Sequence, residues 1–407
     1  MRSGNAINTR KILLLVTSLF ICGTILFFPQ AALAETAKDE KAVEDRIVEE
    51  QLRSGDVKSL EGQLNKYDSS ELREILPEFD PQKIIEDGTR GKFEFSPVGL
   101  MNRGLSYLLK EIYVNLHILI KLIVLTILCA VLKNLQTSFL SDSVGELAFF
   151  ACYVVIVSIL ITGFNTALNL GKEIIDSMVA FMQATIPVLI TLMMSGGNIT
   201  SAGIFQPILI MIVQVAATIL KNVLIPLIFL STVLSIVDNI SDKVQVSRLA
   251  GLLKQVSAWC LGIILTVFIA VVSVQGSLGA VVDGVTGKTA KFAIGAFIPV
   301  AGKYLADAAD AVIGCALLIK NAAGVAAMVG ILAICLVPLL KIFAIMALYR
   351  LTCVLIEPLS EKRITNCINS ISGSLTFVIG IVASVAFMFL ISITAIISAG
   401  NISAMIR

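Results

Sequence analysis

The residues with the types and spacing for chemistry cluster between Ser273 and Asn321. Asp283, Lys303, Asp307 and Asp310 fall there, with Gly302 among several glycines, in a chain that is otherwise nearly continuously apolar from Tyr113 to Ala395. An ionised side chain at the centre of a bilayer costs about 2.5–3.5 kcal/mol even on the lenient insertion scale, so each needs a partner, a wet cavity or a place near the edge. Lys303 precedes Asp307 by one helical turn and Asp310 follows it, a grouping suited to ion or proton transport or to subunit assembly; exposed loop charges are the plainer reading. Lys121, near His117, and Lys341, near Arg350, can bury their stems and carry the ammonium to the headgroups. No H-E-x-x-H, G-x-S-x-G or Walker A pattern occurs, so no catalytic residue is assigned and the chain is not read as an enzyme.

Prolines form a second set of candidates. Ile186-Pro187-Val188 recurs as Ile298-Pro299-Val300, and Ile225-Pro226-Leu227-Ile228 as Val337-Pro338-Leu339-Leu340, at one shared offset. This spacing predicts a duplicated unit over 178–275 and 289–396. Proline-broken helices at matching places free backbone carbonyls for a midplane site in transporters. The alternative is ordinary membrane prolines whose freed groups are met by neighbouring helices.

The eight cysteines do not build a metal site. All but Cys22, which belongs to the export signal, and Cys367, beside a polar loop, lie in apolar helical runs where cysteine acts as a small hydrophobe. With no C-x-x-C pair and a single histidine, His117, neither a metal nor a cofactor is expected.

These residues must be positioned by membrane helices. The composition is 57% hydrophobic and 15% charged with mean hydropathy +0.92, too apolar for a water-soluble chain of this length. Arg2, Arg10 and Lys11, then apolar Ile12 to Phe28, then Ala32-Leu33-Ala34 read as a signal peptide over 1–34. Residues 35–105 form a charged, helical, extracytoplasmic segment with too few apolar residues for a large core of its own. Its acidic balance argues against nucleic acid as a partner. Residues 106–407 are the polytopic domain. The fold class is therefore all-α and polytopic, with about seven or eight transmembrane helices, drawn at 113–132, 146–169, 178–195, 203–220, 222–238, 256–275, 324–349 and 371–396, and a re-entrant or half-helix element within 289–320. Leu100, Leu105, Leu108, Leu109 and Ile112 suggest an interfacial helix before the first span. The basic loops around Lys243, Arg248 and Lys254 and around Lys362-Arg363 fall on the cytoplasmic side.

The stretches Asn222-Val223-Leu224-Ile225-Pro226-Leu227-Ile228-Phe229-Leu230-Ser231, Ser273-Val274-Gln275-Gly276, Thr289-Ala290-Lys291-Phe292, Phe297-Ile298-Pro299-Val300-Ala301-Gly302 and Ala399-Gly400-Asn401 resemble the stage III sporulation protein AE family of endospore-forming Gram-positive bacteria. The likeness runs through almost the whole chain and is weakest in the head. Glu357-Pro358-Leu359 departs from it in a loop. The resemblance implies a multi-pass component of a channel-like secretion complex joining mother cell and forespore, seated in the mother-cell-derived membrane. It further implies ring-forming membrane partners and a separate cytoplasmic ATPase, and brings no catalytic residues. A small-solute permease is the second reading.

Overall fold

Hydrocarbon offers no partner for backbone N–H and C=O groups, so long apolar runs close their hydrogen bonds as helices. The computed structural model describes residues 55–90, 96–139, 142–240, 246–297 and 302–406, and these form helices and no strand. The expected signal peptide and Pro299 lie outside the described residues. Three short helices come first: α1 Gly55–Asn65, α2 Ser70–Ile75 and α3 Pro81–Thr89. Ser69 and Asp80 start α2 and α3, accepting hydrogen bonds from the N–H of Leu72 and of Gln82, which satisfies donors with no partner inside the helix. Then follow α4 Pro97–Val114, α5 Leu116–Phe139, α6 Asp142–Ser195, α7 Ile199–Ile219, a π turn Leu220–Leu224, α8 Ile225–Asp238, α9 Ser247–Phe297, α10 Gly302–Ile356 and α11 Lys362–Ile406.

Among the described residues, five helices are long and apolar enough to cross a membrane, and the pair Val98–Val114 and Leu116–Leu132, bent by 45°, makes a sixth candidate, short of the seven or eight spans expected. Segments 146–169 and 178–195 both lie on α6, because Lys172, Glu173 and Asp176 interrupt the apolar pattern without breaking the helix. Segments 203–220 and 222–238 lie on one run, Ile199–Asp238. There the π turn absorbs the missing N–H of Pro226, as single π turns do inside longer helices. The expected half-helices of 289–320 are instead the end of α9 and the start of α10, because nothing between Lys303 and Lys320 breaks a helix. Pro187 lies inside α6 and Pro338 inside α10.

Side-chain bonds hold the long helices in antiparallel register. Between α10 and α11, Lys320 donates to the Ile397 carbonyl, Thr376 to the Met346 sulfur and Cys353 to the Thr365 carbonyl. Lys320 to Cys353 is about 50 Å of helix at 1.5 Å per residue. Between α7–α8 and α9, Gln275 donates to the Ile204 carbonyl and Ser231 to the Ala250 carbonyl. Tyr153 of α6 donates to the Ile236 carbonyl of α8, and Tyr349 of α10 donates to the Leu160 carbonyl of α6.

The small N-terminal helices dock on the flank of this bundle. Val57, Leu60, Leu64, Leu72, Ile75, Ile84 and Ile85 belong to the same hydrophobic core as α6 and α10. Tyr67 donates to the Ser177 carbonyl at 3.2 Å, Lys341 of α10 pairs with Glu71 at 2.7 Å, and Lys110 of α4 with Glu74 at 2.7 Å. An ion pair with Arg73 holds the Asp68 carboxyl below its ordinary range. Val98, Met101, Leu105, Leu109 and Tyr113 line an exposed apolar face of α4 at helical spacing, the form of a helix lying in a membrane interface.

Gly330 of α10 makes the docking close: a Cβ there would overlap Leu64 Cδ2 and stand 2.7 Å from Phe181 Cζ. Gly330→Leu is expected to destabilise the protein by about 1–3 kcal/mol, the usual cost of overpacking. A lower melting temperature in detergent, with faster proteolysis within residues 55–90, would show it.

Candidate functional site

The first N–H groups of any helix have no partner inside it. At the start of α7 the N-cap residue Asn198 makes no side-chain cap. Asp283, brought from α9 and 3% exposed, supplies it: its carboxylate accepts from the Thr200 N–H at 2.9 Å and the Ser201 N–H at 2.8 Å. A carboxylate at the positive end of a helix is stabilising, by up to about 2 kcal/mol where partly buried.

Lys320 of α10 lies at the same end of the bundle and is 0% exposed. Its ammonium donates to the Ile397 carbonyl at 2.9 Å and sits 3.5 Å from Asn401 Oδ1, and no ion pair reaches it among the described residues. Gly400 provides its space. A Cβ at Gly400 would overlap Lys320 Nζ and stand 3.4 Å from Asn198 Nδ2, so the α6–α7 turn, α10 and α11 converge on this point. Nearby, the side-chain oxygens of Asn198, Ser201, Asn321 and Ser403, and of Gln275 two turns before Asp283, are buried with no hydrogen-bond partner among the described residues. A buried oxygen left unpaired costs about 1–3 kcal/mol unless water reaches it. The arrangement is chemically a buried polar cluster with a cation and a carboxylate, each held by backbone groups. No group of three or more metal-ligating side chains occurs among the described residues.

The residues singled out from the sequence are not gathered into one site. Asp283 joins the cluster. Asp310 is exposed and pairs with Lys291 at 2.6 Å, linking α9 to α10. Gly302 opens α10 and is buried, and Lys303 and Asp307 follow in its first turns. Pro187 and Pro338 are inside α6 and α10, Pro226 follows the π turn, and Pro338 borders the cleft between Tyr67, Glu173 and α10.

Comparison with known proteins bears on the whole chain. The family model described as stage III sporulation protein AE matches residues 79–400. The stage III sporulation protein AE of Bacillus subtilis (strain 168) is 34% identical over 394 residues, covering 97% of this chain and 98% of the relative. This chain belongs to the stage III sporulation protein AE family. No solved structure matches. The match covers Asn198, Ser201, Asp283, Lys320 and Gly400 of the polar cluster and ends just before Asn401 and Ser403.

Lys320 carries a signal in the sequence. It interrupts Ala316-Leu317-Leu318-Ile319 just as Lys121 and Lys341 interrupt their runs. Asn198, Ser201 and Gly400 carried no such signal, because only the turn between α6 and α7 brings them to Lys320.

Asp283→Leu leaves the N–H groups of Thr200 and Ser201, the second of them buried, without their acceptor and is expected to cost about 1–3 kcal/mol. Gly400→Ala is expected to destabilise too, by displacing the Lys320 ammonium. Asp310→Leu removes an exposed pair, worth about 0–1 kcal/mol, and should melt close to the parent. Thermal unfolding of the three detergent-solubilised variants checks this order.

Proposed function

We propose that the protein is a multi-pass, non-enzymatic membrane component of the channel-like complex that joins mother cell and forespore, required for late forespore development. The observation that carries the reading is family membership over almost the full length, together with at least five helices long and apolar enough to cross a membrane. In this reading the protein sits in the mother-cell-derived membrane around the forespore. Its N-terminal helices face the space between the two membranes, cleaved from their signal after Ala34. Ring-forming membrane subunits and a separate cytoplasmic ATPase are its partners.

The docked helices support that placement. They follow the export signal and are locked by Glu71 and Glu74 onto Lys341 and Lys110, so they travel with the bundle as one unit. The basic residues Arg248, Lys254, Lys362 and Arg363 lie at the opposite side of the loops from the α6–α7 turn, as expected for cytoplasmic ends.

Deletion of the gene is expected to arrest sporulation after engulfment while vegetative growth continues. Normal sporulation with a nutrient-dependent growth defect would instead establish a permease. N-terminal sequencing of the mature protein should begin at Glu35; a start at Met1 would show that the signal is retained.

A further inference from the structure

Helix α6 is among the helices apolar enough to span a membrane, yet one of its faces is polar. Between Ser158 and Thr191 its exposed residues are Ser158, Thr162, Asn165, Thr166, Asn169, Glu173, Asp176, Ala180, Gln183 and Thr191. Ala180 alone is apolar. The positions recur at intervals of three and four or their multiples, so they form one stripe along the helix. The stripe runs for about 50 Å, against about 30 Å of hydrocarbon. Even the placement nearest the start of the Phe150–Ser195 span leaves Ser158 to Asn169 of this stripe in the hydrocarbon.

The neighbouring helix widens the stripe. Gln183 donates to Gln214 at 2.7 Å and Lys221 binds Asp176 at 2.6 Å, while Gln214 also reaches Thr218 at 3.5 Å. The serine and threonine hydroxyls bond carbonyls of their own helix, Ser158 to Val154 and Thr162 to Ser158, and so tolerate lipid. Asn165, Asn169 and Glu173 do not: their side chains are exposed and lack a protein partner among the described residues. On α9 the pattern is the reverse, with Leu252, Val256, Trp259, Ile263, Val267 and Val274 exposed. One chain thus presents a face suited to acyl chains and another suited to water.

We propose that the polar face of α6, with Gln214, Thr218 and Lys221 beside it, lines a water-filled path through the membrane and is one wall of the route for polar solutes. This deepens the channel reading and rests on it. Lys172 and Lys221 are offset by Glu173 and Asp176, so the wall is hydrophilic without favouring anions or cations strongly. Toward the N-terminus of α6 the exposed residues become Phe150, Val154 and Val155, and the wetted stretch ends there.

Cysteine accessibility in membranes from sporulating cells tests this, with the native cysteines replaced in a variant that still sporulates. Single cysteines at Asn165, Asn169, Gln183 and Thr191, and at Ile263 and Val274 as lipid-facing controls, are treated with a charged, membrane-impermeant thiol reagent. The four face positions are expected to react about tenfold faster than the controls or more, as hydrated sites do relative to sites in hydrocarbon. Face cysteines as protected as the controls would overturn the path. If the face is protected while gene deletion still arrests sporulation, only the path fails; if deletion leaves sporulation intact, the channel reading fails whatever the labelling.

Discussion

In hydrocarbon every backbone N–H and C=O must be paired within the protein, and this constraint shapes the molecule at each level. It makes the apolar runs helical, and it makes the places where a helix starts or a proline intrudes into points of demand. Pro226 removes a donor, and the π turn just before it lets the run continue from Ile199 to Asp238. The start of α7 leaves two N–H groups without partners in their own helix, and a carboxylate from α9 meets them. The polar residues inside the bundle are thus placed first where the backbone needs them.

Helix length is the second constraint. With 54, 51 and 55 residues, α6, α9 and α10 extend to about 77–83 Å, well beyond one hydrocarbon layer. Antiparallel neighbours stay in contact along most of that distance, so the bundle itself reaches past the bilayer. This explains why the small N-terminal helices can pack against its side: Leu60 and Leu64 find core partners on α6 and α10 that their own sparse apolar residues could not supply.

The candidate site shows the same division between residue type and residue partner. Asp283 drew notice as a carboxylate in an apolar region, and its burial agrees with that. Its partners are two backbone N–H groups far away in sequence, where the sequence suggested ions or other side chains. Asp310, with the same composition around it, is a surface ion pair. Nothing local distinguishes the two, because burial is decided by which helix lies opposite. The polar stripe on α6 was also present in the sequence, as serines, threonines and asparagines at helical spacing. It became visible only once α6 was a single helix, since dividing it into two spans hid the continuity of its face.

The sequence by itself determined the solvent, the helical fold class and the family, because hydropathy and family-like motifs are local properties that survive without coordinates. It also carried the sparse core of the N-terminal segment and the lack of a catalytic motif. Only the tertiary structure decided how many helices those apolar runs make, since a few charges in a run can mean either a loop or a mid-helix contact such as Lys221 with Asp176. The tertiary structure likewise decided that Lys320, Asn198 and Gly400 share one point. Their meeting depends on the antiparallel register of α10 and α11 and on the turn between α6 and α7, and register is set by packing between distant segments that no local pattern encodes.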